Sequence, residues 1–155
     1  MKILVITISD RAYRGEYEDL SGPAVKTVLE GALTGAEVEV VIVPDEPEEI
    51  ERALESGLAG AAIITTGGTG LGPRDITPEV TERFCDRPVP GISEMLRAES
   101  LRETPNAALS RGYAGMKGRT LIVNIPGSVN GASFCAGLLA PLLSHAEGMI
   151  SGEGH

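Results

Sequence analysis

Residues 60–79 read GAAIITTGGTGLGPRDITPE, and the changes of character along this stretch decide how the chain is built. An apolar, β-rich run ends in Thr65 and Thr66; glycines follow at 67, 68, 70 and 72; a helix then opens at about Thr77, with Pro78 in its first turn. The same strand-to-helix alternation recurs on both sides. KILVITI (2–8) is apolar without alternation, the pattern of a strand buried on both faces. EVEVVIVP (37–44) is a second strand, and RTLIVNIPG (119–127) is another that runs into a Pro-Gly turn. Behind Pro23, residues Ala24, Val25, Val28, Leu29, Ala32 and Leu33 recur at helical spacing. Ile50, Ala53, Leu54 and Leu58 share one helical face of EEIERALESGL, and ISEMLRAESLRE (92–103) is also helical. The apolar pairs 134/135, 138/139, 142/143 and 149/150 predict a helix kinked or broken near Pro141. SDRAYRGEYEDLSG (9–22) has no period and reads as a long loop. The sum is one α/β domain over residues 1–155, a mostly parallel sheet with helices on both faces.

Composition narrows the function classes. The net charge of −9 would repel a polynucleotide backbone, and 3% aromatic residues leave little for base stacking. No nucleic-acid partner is expected, although a small phosphorylated ligand remains compatible if cations or local basic residues compensate. No apolar run stands out as long enough to span a bilayer, and MKILVITISD reads as a first strand rather than a leader. No membrane partner and a cytoplasmic location are therefore expected. Cys85 and Cys135 are far apart with no CxxC or Cys/His spacing, which argues against a zinc site or disulfide framework. His145 belongs to a core or surface helix, His155 is the last residue, and no Ser/His/Asp arrangement is readable.

In parallel α/β sheets, ligands sit outside the carboxyl ends of the strands. Polar segments stand at four such ends: Ser9-Asp10, Pro44-Asp45-Glu46, the glycine loop, and Asn124–Ser128. The loop lacks the terminal Gly-Lys-Ser/Thr of a nucleotide P-loop, and GxGxxG fails because Pro73 takes the third glycine position. What remains, Thr66-Gly67-Gly68-Thr69-Gly70, offers backbone amides that can approach anionic oxygens, an anion nest. A tight turn alone would need fewer glycines. Asp75 and Asp45 each have an ordinary alternative: a turn or helix-opening residue for Asp75, a capping box with Glu48 for Asp45. As a pair beside a phosphate nest, they call for a cation, and Mg2+ binds typically through one or two carboxylates plus substrate phosphates. Arg74 and Arg111 could clamp phosphate or merely solvate a surface; Ser9 and Ser110 could donate hydrogen bonds or serve in turns.

Several ordered blocks resemble the molybdopterin adenylyltransferase family, the MogA/MoaB-like proteins related to the gephyrin G domain. They are ISDRAYRGEYEDLSGP, VIVPDE, ITTGGTGLGPRDITPEVT, VPGISEMLRAESL, ALSRGYAG and LIVNIPGS, and together they span nearly the whole chain. The resemblance implies a three-layer αβα fold, a homotrimer, and Mg2+-dependent transfer of adenylate from ATP to the terminal phosphate of molybdopterin with release of pyrophosphate. It further implies a place in molybdenum cofactor biosynthesis, with other proteins of that pathway as possible partners. On this resemblance Asp45 and Asp75 match the family's essential acidic positions and would organise Mg2+. Gly67, Gly68, Thr69 and Gly70 match its binding loop, and Ser110 and Pro126-Gly127-Ser128 match segments lining the pocket. One departure is visible: after NIPGS the family often has Pro, then Lys or Asn, then Ala, whereas this chain reads Val129-Asn130-Gly131-Ala132, which removes a phosphate-side charge. The alternative is a catalytically silent molybdopterin-binding paralogue; a nucleotide-binding oxidoreductase of the same architecture is disfavoured by the missing GxGxxG.

Overall fold

A computed structural model describes residues 1–152; His155 lies outside them. Six strands form one sheet: β1 (Lys2–Ile8), β2 (Glu37–Val43), β3 (Ala62–Thr66), β4 (Arg87–Pro88), β5 (Ala114–Lys117) and β6 (Thr120–Ile125), in the spatial order β2-β1-β3-β6-β5-β4. β2, β1, β3 and β6 run parallel, while β5 is antiparallel to both of its neighbours. The helices are α1 (Asp10–Tyr13), α2 (Ser21–Ala32), α3 (Pro47–Ser56), α4 (Thr77–Phe84), α5 (Pro90–Ser100) and α6 (Val129–Ser151), with a 3₁₀ turn at Pro105–Leu109.

The unalternating apolar strands follow from burial on both faces. On β1, Ile3 and Val5 join a core with α2, α5 and α6, while Leu4, Ile6 and Ile8 face a second core with α3 and α4. β3 and β6 divide the same way: Ile64 and Val123 enter the first core, Ile63 and Ile122 the second. The result is three layers, helix–sheet–helix. At the sheet edge, β2 exposes Glu37 and Glu39 on either side of buried Val38, and the alternation is lost beyond them, where Ile42 is also exposed.

Several expectations are corrected. The supposed loop 9–22 contains α1, a single turn capped by Ser9, whose Oγ accepts from the Ala12 amide at 3.2 Å. α2 begins before Pro23: Asp19 Oδ1 accepts from Ser21 Oγ at 3.2 Å and from the Gly22 amide at 3.1 Å, which places a carboxylate at the positive end of the helix. β4 and β5 carry Arg, Pro, Gly and Lys in runs too short for a period, and sequence patterning misses both. α6 is not broken at Pro141. Pro141 and Gly137 are both exposed, so the Gly137 carbonyl that loses its amide partner meets water, and glycine leaves room for the ring.

α6 also overturns the expectation that nothing in the chain could span a bilayer. By length and composition it is apolar enough to cross a membrane. Its inner face, from Ala132 and Cys135 to Leu139 and Leu143, is buried in the first core. Its exposed positions are Asn130, Gly137, Pro141, Ser144, His145, Glu147, Met149 and Ser151, so the outward side is mostly polar, glycine or proline and Met149 is its one fully exposed large apolar side chain.

Register then assembles the site. Ile8 pairs with Val43, Thr7 with Thr66, and Thr66 with Ile125, so the carboxyl ends of β1, β2, β3 and β6 finish level. The sheet grows from β1 to β2 on one side and returns over it to β3, so the crevice lies where the winding reverses.

Candidate functional site

Gly67 and Gly68 leave β3 with φ of +103° and +66°, a backbone that residues bearing a Cβ rarely adopt. A Cβ on Gly67 would overlap the Ile8 carbonyl, and one on Gly68 would overlap Thr77 Oγ1. The loop is tied to the neighbouring strand end: Thr66 Oγ1 donates to the Pro126 carbonyl at 2.7 Å, and the Gly67 amide donates to Ile125 O at 3.3 Å. The amides of Gly68, Thr69 and Gly70 donate to no acceptor among the described residues. Three consecutive amides left without an acceptor are what an anion nest requires.

Two carboxylates press on this loop through the room its glycines leave. Asp45 Oδ1 lies 3.2 Å from where a Cβ of Gly68 would be; Asp75 Oδ2 lies 2.9 Å from that of Gly70 and 2.8 Å from that of Gly72. The extra glycines therefore have a steric reason beyond turning the chain. Asp45 does not form the capping box open to it: Glu46 occupies the cap position of α3 without a side-chain bond. Instead, Asp45 Oδ2 accepts from the Asp10 amide at 2.9 Å, and Asp10 Oδ1 accepts from the Asp45 amide at 3.0 Å. This reciprocal clasp joins the ends of β1 and β2. Nor does Asp75 cap α4; its Oδ2 accepts from the Gly72 amide at 2.8 Å and closes the loop on itself.

The clasped carboxylates differ electrostatically. Asp10 is held below the usual carboxylate range, chiefly by its hydrogen bonds from Arg74. Asp45 is pushed up, first by burial and then by the charges of Asp10 and Asp75, against the opposing pull of the Asp10 amide and Arg74. An ionised Asp45 is the strained member of the set.

Neither arginine faces the nest as a free clamp. Arg74 Nε donates to Asp10 Oδ2 at 2.6 Å, and one terminal nitrogen serves Glu46 Oε1 at 2.8 Å and the Asp45 carbonyl at 3.1 Å. Arg111 braces the loop from behind, donating to the Gly70 carbonyl at 2.8 Å and the Asp75 carbonyl at 2.6 Å, and pairing with Glu79. Its amide holds Thr69 O at 3.0 Å. The bracing role of Arg111 and the place of Thr77 under Gly68 leave no trace in spacing; both depend on contacts between distant segments.

Beyond Gly70 the crevice widens into a cavity of about 500 Å3 lined by Thr69, Ser110, Pro126, Ser128, Asn130 and Phe134. Ser128 caps α6 by accepting from the Gly131 amide at 3.2 Å, so Val129–Ala132, the segment that departs from the family pattern, is the first turn of that helix. The structure thus brings Ser9, Asp10, Asp45, Thr66–Gly70, Arg74, Asp75, Ser110 and Pro126–Ser128 to one end of the sheet. Gly127 packs against Gly67, where a Cβ would lie 3.1 Å from Gly67 Cα. Asn124 is buried below in the core, and His145 is exposed on α6 outside the set of residues named here. Among the described residues, no three His, Cys, Asp or Glu side chains converge as a protein-only metal cage.

The family described as "Probable molybdopterin binding domain" matches residues 4–145. A molybdopterin adenylyltransferase of Helicobacter pylori is 41% identical over 153 residues, covering 96% of this chain and 87% of the relative. The crystal structure of the molybdopterin biosynthesis enzyme MoaB from Thermus thermophilus superposes with a TM-score of 0.87 at 44% identity, over 97% of this chain and 96% of that one. A structure of MogA superposes at 0.90 with 38% identity, over 97% and 99% of the two chains.

Proposed function

This chain belongs to the molybdopterin-binding domain family of molybdenum cofactor biosynthesis, and on that premise we propose that it is a molybdopterin adenylyltransferase using Mg-ATP. The observation that carries the reading is the row of unpartnered amides at Gly68–Gly70, with Asp45 and Asp75 set against the same loop.

In the reaction a terminal phosphate oxygen of molybdopterin attacks the α-phosphorus of ATP, the α–β P–O bond breaks, and pyrophosphate leaves. The attacking phosphate is already nucleophilic, so the protein's task is to hold two polyanions in line and offset their repulsion. The loop amides hydrogen-bond phosphate oxygens at a fixed place, and the braces from Arg111 and Pro126 keep that place from shifting. The cavity beyond Gly70 has the size and mixed polar and apolar lining to seat a ring system next to the nest.

Asp45 and Asp75 fit a magnesium ion. Both are hard oxygen donors, Asp45 Oδ1 accepts no hydrogen bond among the described residues, and a divalent cation would offset both the burial that chiefly raises Asp45 and the lesser repulsion from Asp10 and Asp75. Bound there with substrate phosphates, the ion would neutralise charge on the transferring phosphoryl group. The clasp with Asp10 fixes the direction in which Asp45 offers its free oxygen.

The reading extends to a cytoplasmic homotrimer acting with other proteins of the cofactor pathway. Unpaired Cys85 and Cys135 suit a reducing compartment. An apolar groove of about 630 Å3 between the end of α6 and β4–β5, lined by Val89, Ile92, Leu142 and Met149 among others, supplies a surface for self-association. Light scattering on the purified chain tests the oligomer. The reaction is tested by pyrophosphate release from Mg-ATP with and without molybdopterin. Release that requires molybdopterin and collapses in Asp45→Ala and Asp75→Ala is expected; molybdopterin binding without release would overturn the enzymatic reading.

A further inference from the structure

Thr77 is 0% exposed, and its Oγ1 joins Ser93 Oγ as a buried side-chain polar atom with no hydrogen-bond partner among the described residues. Burying a hydroxyl unpaired is costly, and such atoms call for a reason. Its surroundings supply one. The position a Cβ of Gly68 would occupy overlaps Thr77 Oγ1 and lies 3.2 Å from Asp45 Oδ1. Two polar atoms without partners, a hydroxyl and a carboxylate oxygen, thus converge on the space a glycine leaves open. Meanwhile the Thr77 amide is already used, donating to Gly68 O at 3.1 Å, so α4 and the loop are fastened through backbone while the hydroxyl is left over.

We propose that Thr77 is a positioning residue for Asp45, its hydroxyl donating to Asp45 Oδ1 when the loop closes on a cation-bound substrate. The proposal rests on the magnesium-dependent reading of the site. A carboxylate that offers one oxygen to a metal is held best when a neighbour fixes its plane. The Asp10 amide holds Oδ2 from the β1 side; Thr77 would hold the carboxylate from the α4 side. Gly68 is then required for more than its backbone angle, because any side chain there would stand between the hydroxyl and the carboxylate.

The test compares Mn2+ binding in the presence of ATP, followed by electron paramagnetic resonance, for the native chain, Thr77→Val and Thr77→Ser, alongside thermal melting of each without ligand. Thr77→Val keeps the shape and removes the hydroxyl; it should bind Mn2+ about tenfold more weakly yet melt no lower, since an unpartnered polar atom is lost. Thr77→Ser should bind close to the native level. Equal affinity in the native and valine chains would overturn the proposal. So would a serine chain as weak as valine, or a valine chain that melts lower or fails to fold, because either marks a structural role. A native chain that binds no Mn2+ with ATP would sink the metal reading and this inference with it; native binding that is insensitive to Thr77 would sink this inference alone.

Discussion

Thr77 and Thr81 stand one helical turn apart on α4, both 0% exposed, yet their hydroxyls have opposite fates. Thr81 Oγ1 donates to the Thr77 carbonyl at 2.8 Å and accepts from Asn124 Nδ2 at 2.9 Å. Asn124 also donates to Thr65 Oγ1 at 2.9 Å, and its Oδ1 accepts from the Tyr113 amide at 3.1 Å. That network welds α4 to β3 and β6 and leads into β5. A few ångströms nearer the strand ends, Thr77 Oγ1 and Asp45 Oδ1 have no partners, and Asp45 is electrostatically strained. The lower constellation is saturated and serves stability. The upper one is left incomplete among the described residues, which is the observation behind the proposed ligand site.

Replacing Asp45 by asparagine breaks the contrast most severely. Adenylyl transfer should fall by about 100-fold or more while folded stability holds or rises, read as initial rates beside urea unfolding. The pH dependence sharpens this. Because the folded state raises the proton affinity of Asp45, its ionised form subtracts stability at neutral pH, and the penalty fades as pH falls through the raised value toward the ordinary carboxylate range. The advantage of Asp45→Asn should therefore shrink on acidification. Asp10 is the reverse case: its value is lowered, so it contributes stability above the ordinary range that is lost as pH falls through the folded value. Asp10→Asn should destabilise at neutral pH and converge with the native chain in acid.

In the saturated network, Asn124→Ala should cost about 3 kcal/mol, since it leaves the half-buried Tyr113 amide without its acceptor and takes the donor from two buried threonines. Urea midpoints give the cost, and the native fraction should still turn over. Gly68→Ala lies between the two regions. Its positive φ and the overlap with Thr77 should cost on the order of 1–3 kcal/mol, with activity falling further than stability alone explains. The smallest effect belongs to Arg74→Ala, an exposed brace whose loss should lower stability slightly at low salt and not at high salt.

Legibility in the sequence followed burial. β1, β3 and β6 are readable because each is buried on both faces and so consists of an unbroken apolar run; β2 is readable from its β-branched residues. β4 and β5 are invisible because Arg87-Pro88 and Ala114–Lys117 are recruited by pairing with a neighbour rather than by their own pattern. α1 is a single turn, too short to show a period. In the site, the sequence points to the glycine cluster and the two aspartates together, and the structure places both carboxylates against that loop; that they form a phosphate nest with cation-binding carboxylates is what we propose. The helix-capping alternatives were equally consistent with the local sequence, and only the Asp10–Asp45 clasp and the turn closed by Asp75 decided against them.

By itself, the sequence determined the alternation of strand and helix, the identity of the loop and the carboxylates beside it, and the family. Each of these is written in residues near one another in the chain. The tertiary structure alone decided which polar groups are satisfied. Arg74 and Arg111 are spent on carboxylates and carbonyls far away in sequence, Asn124 is saturated, and Thr77 is not. Satisfaction of a buried polar atom depends on what other segments bring within about 3 Å of it, and no local pattern carries that information.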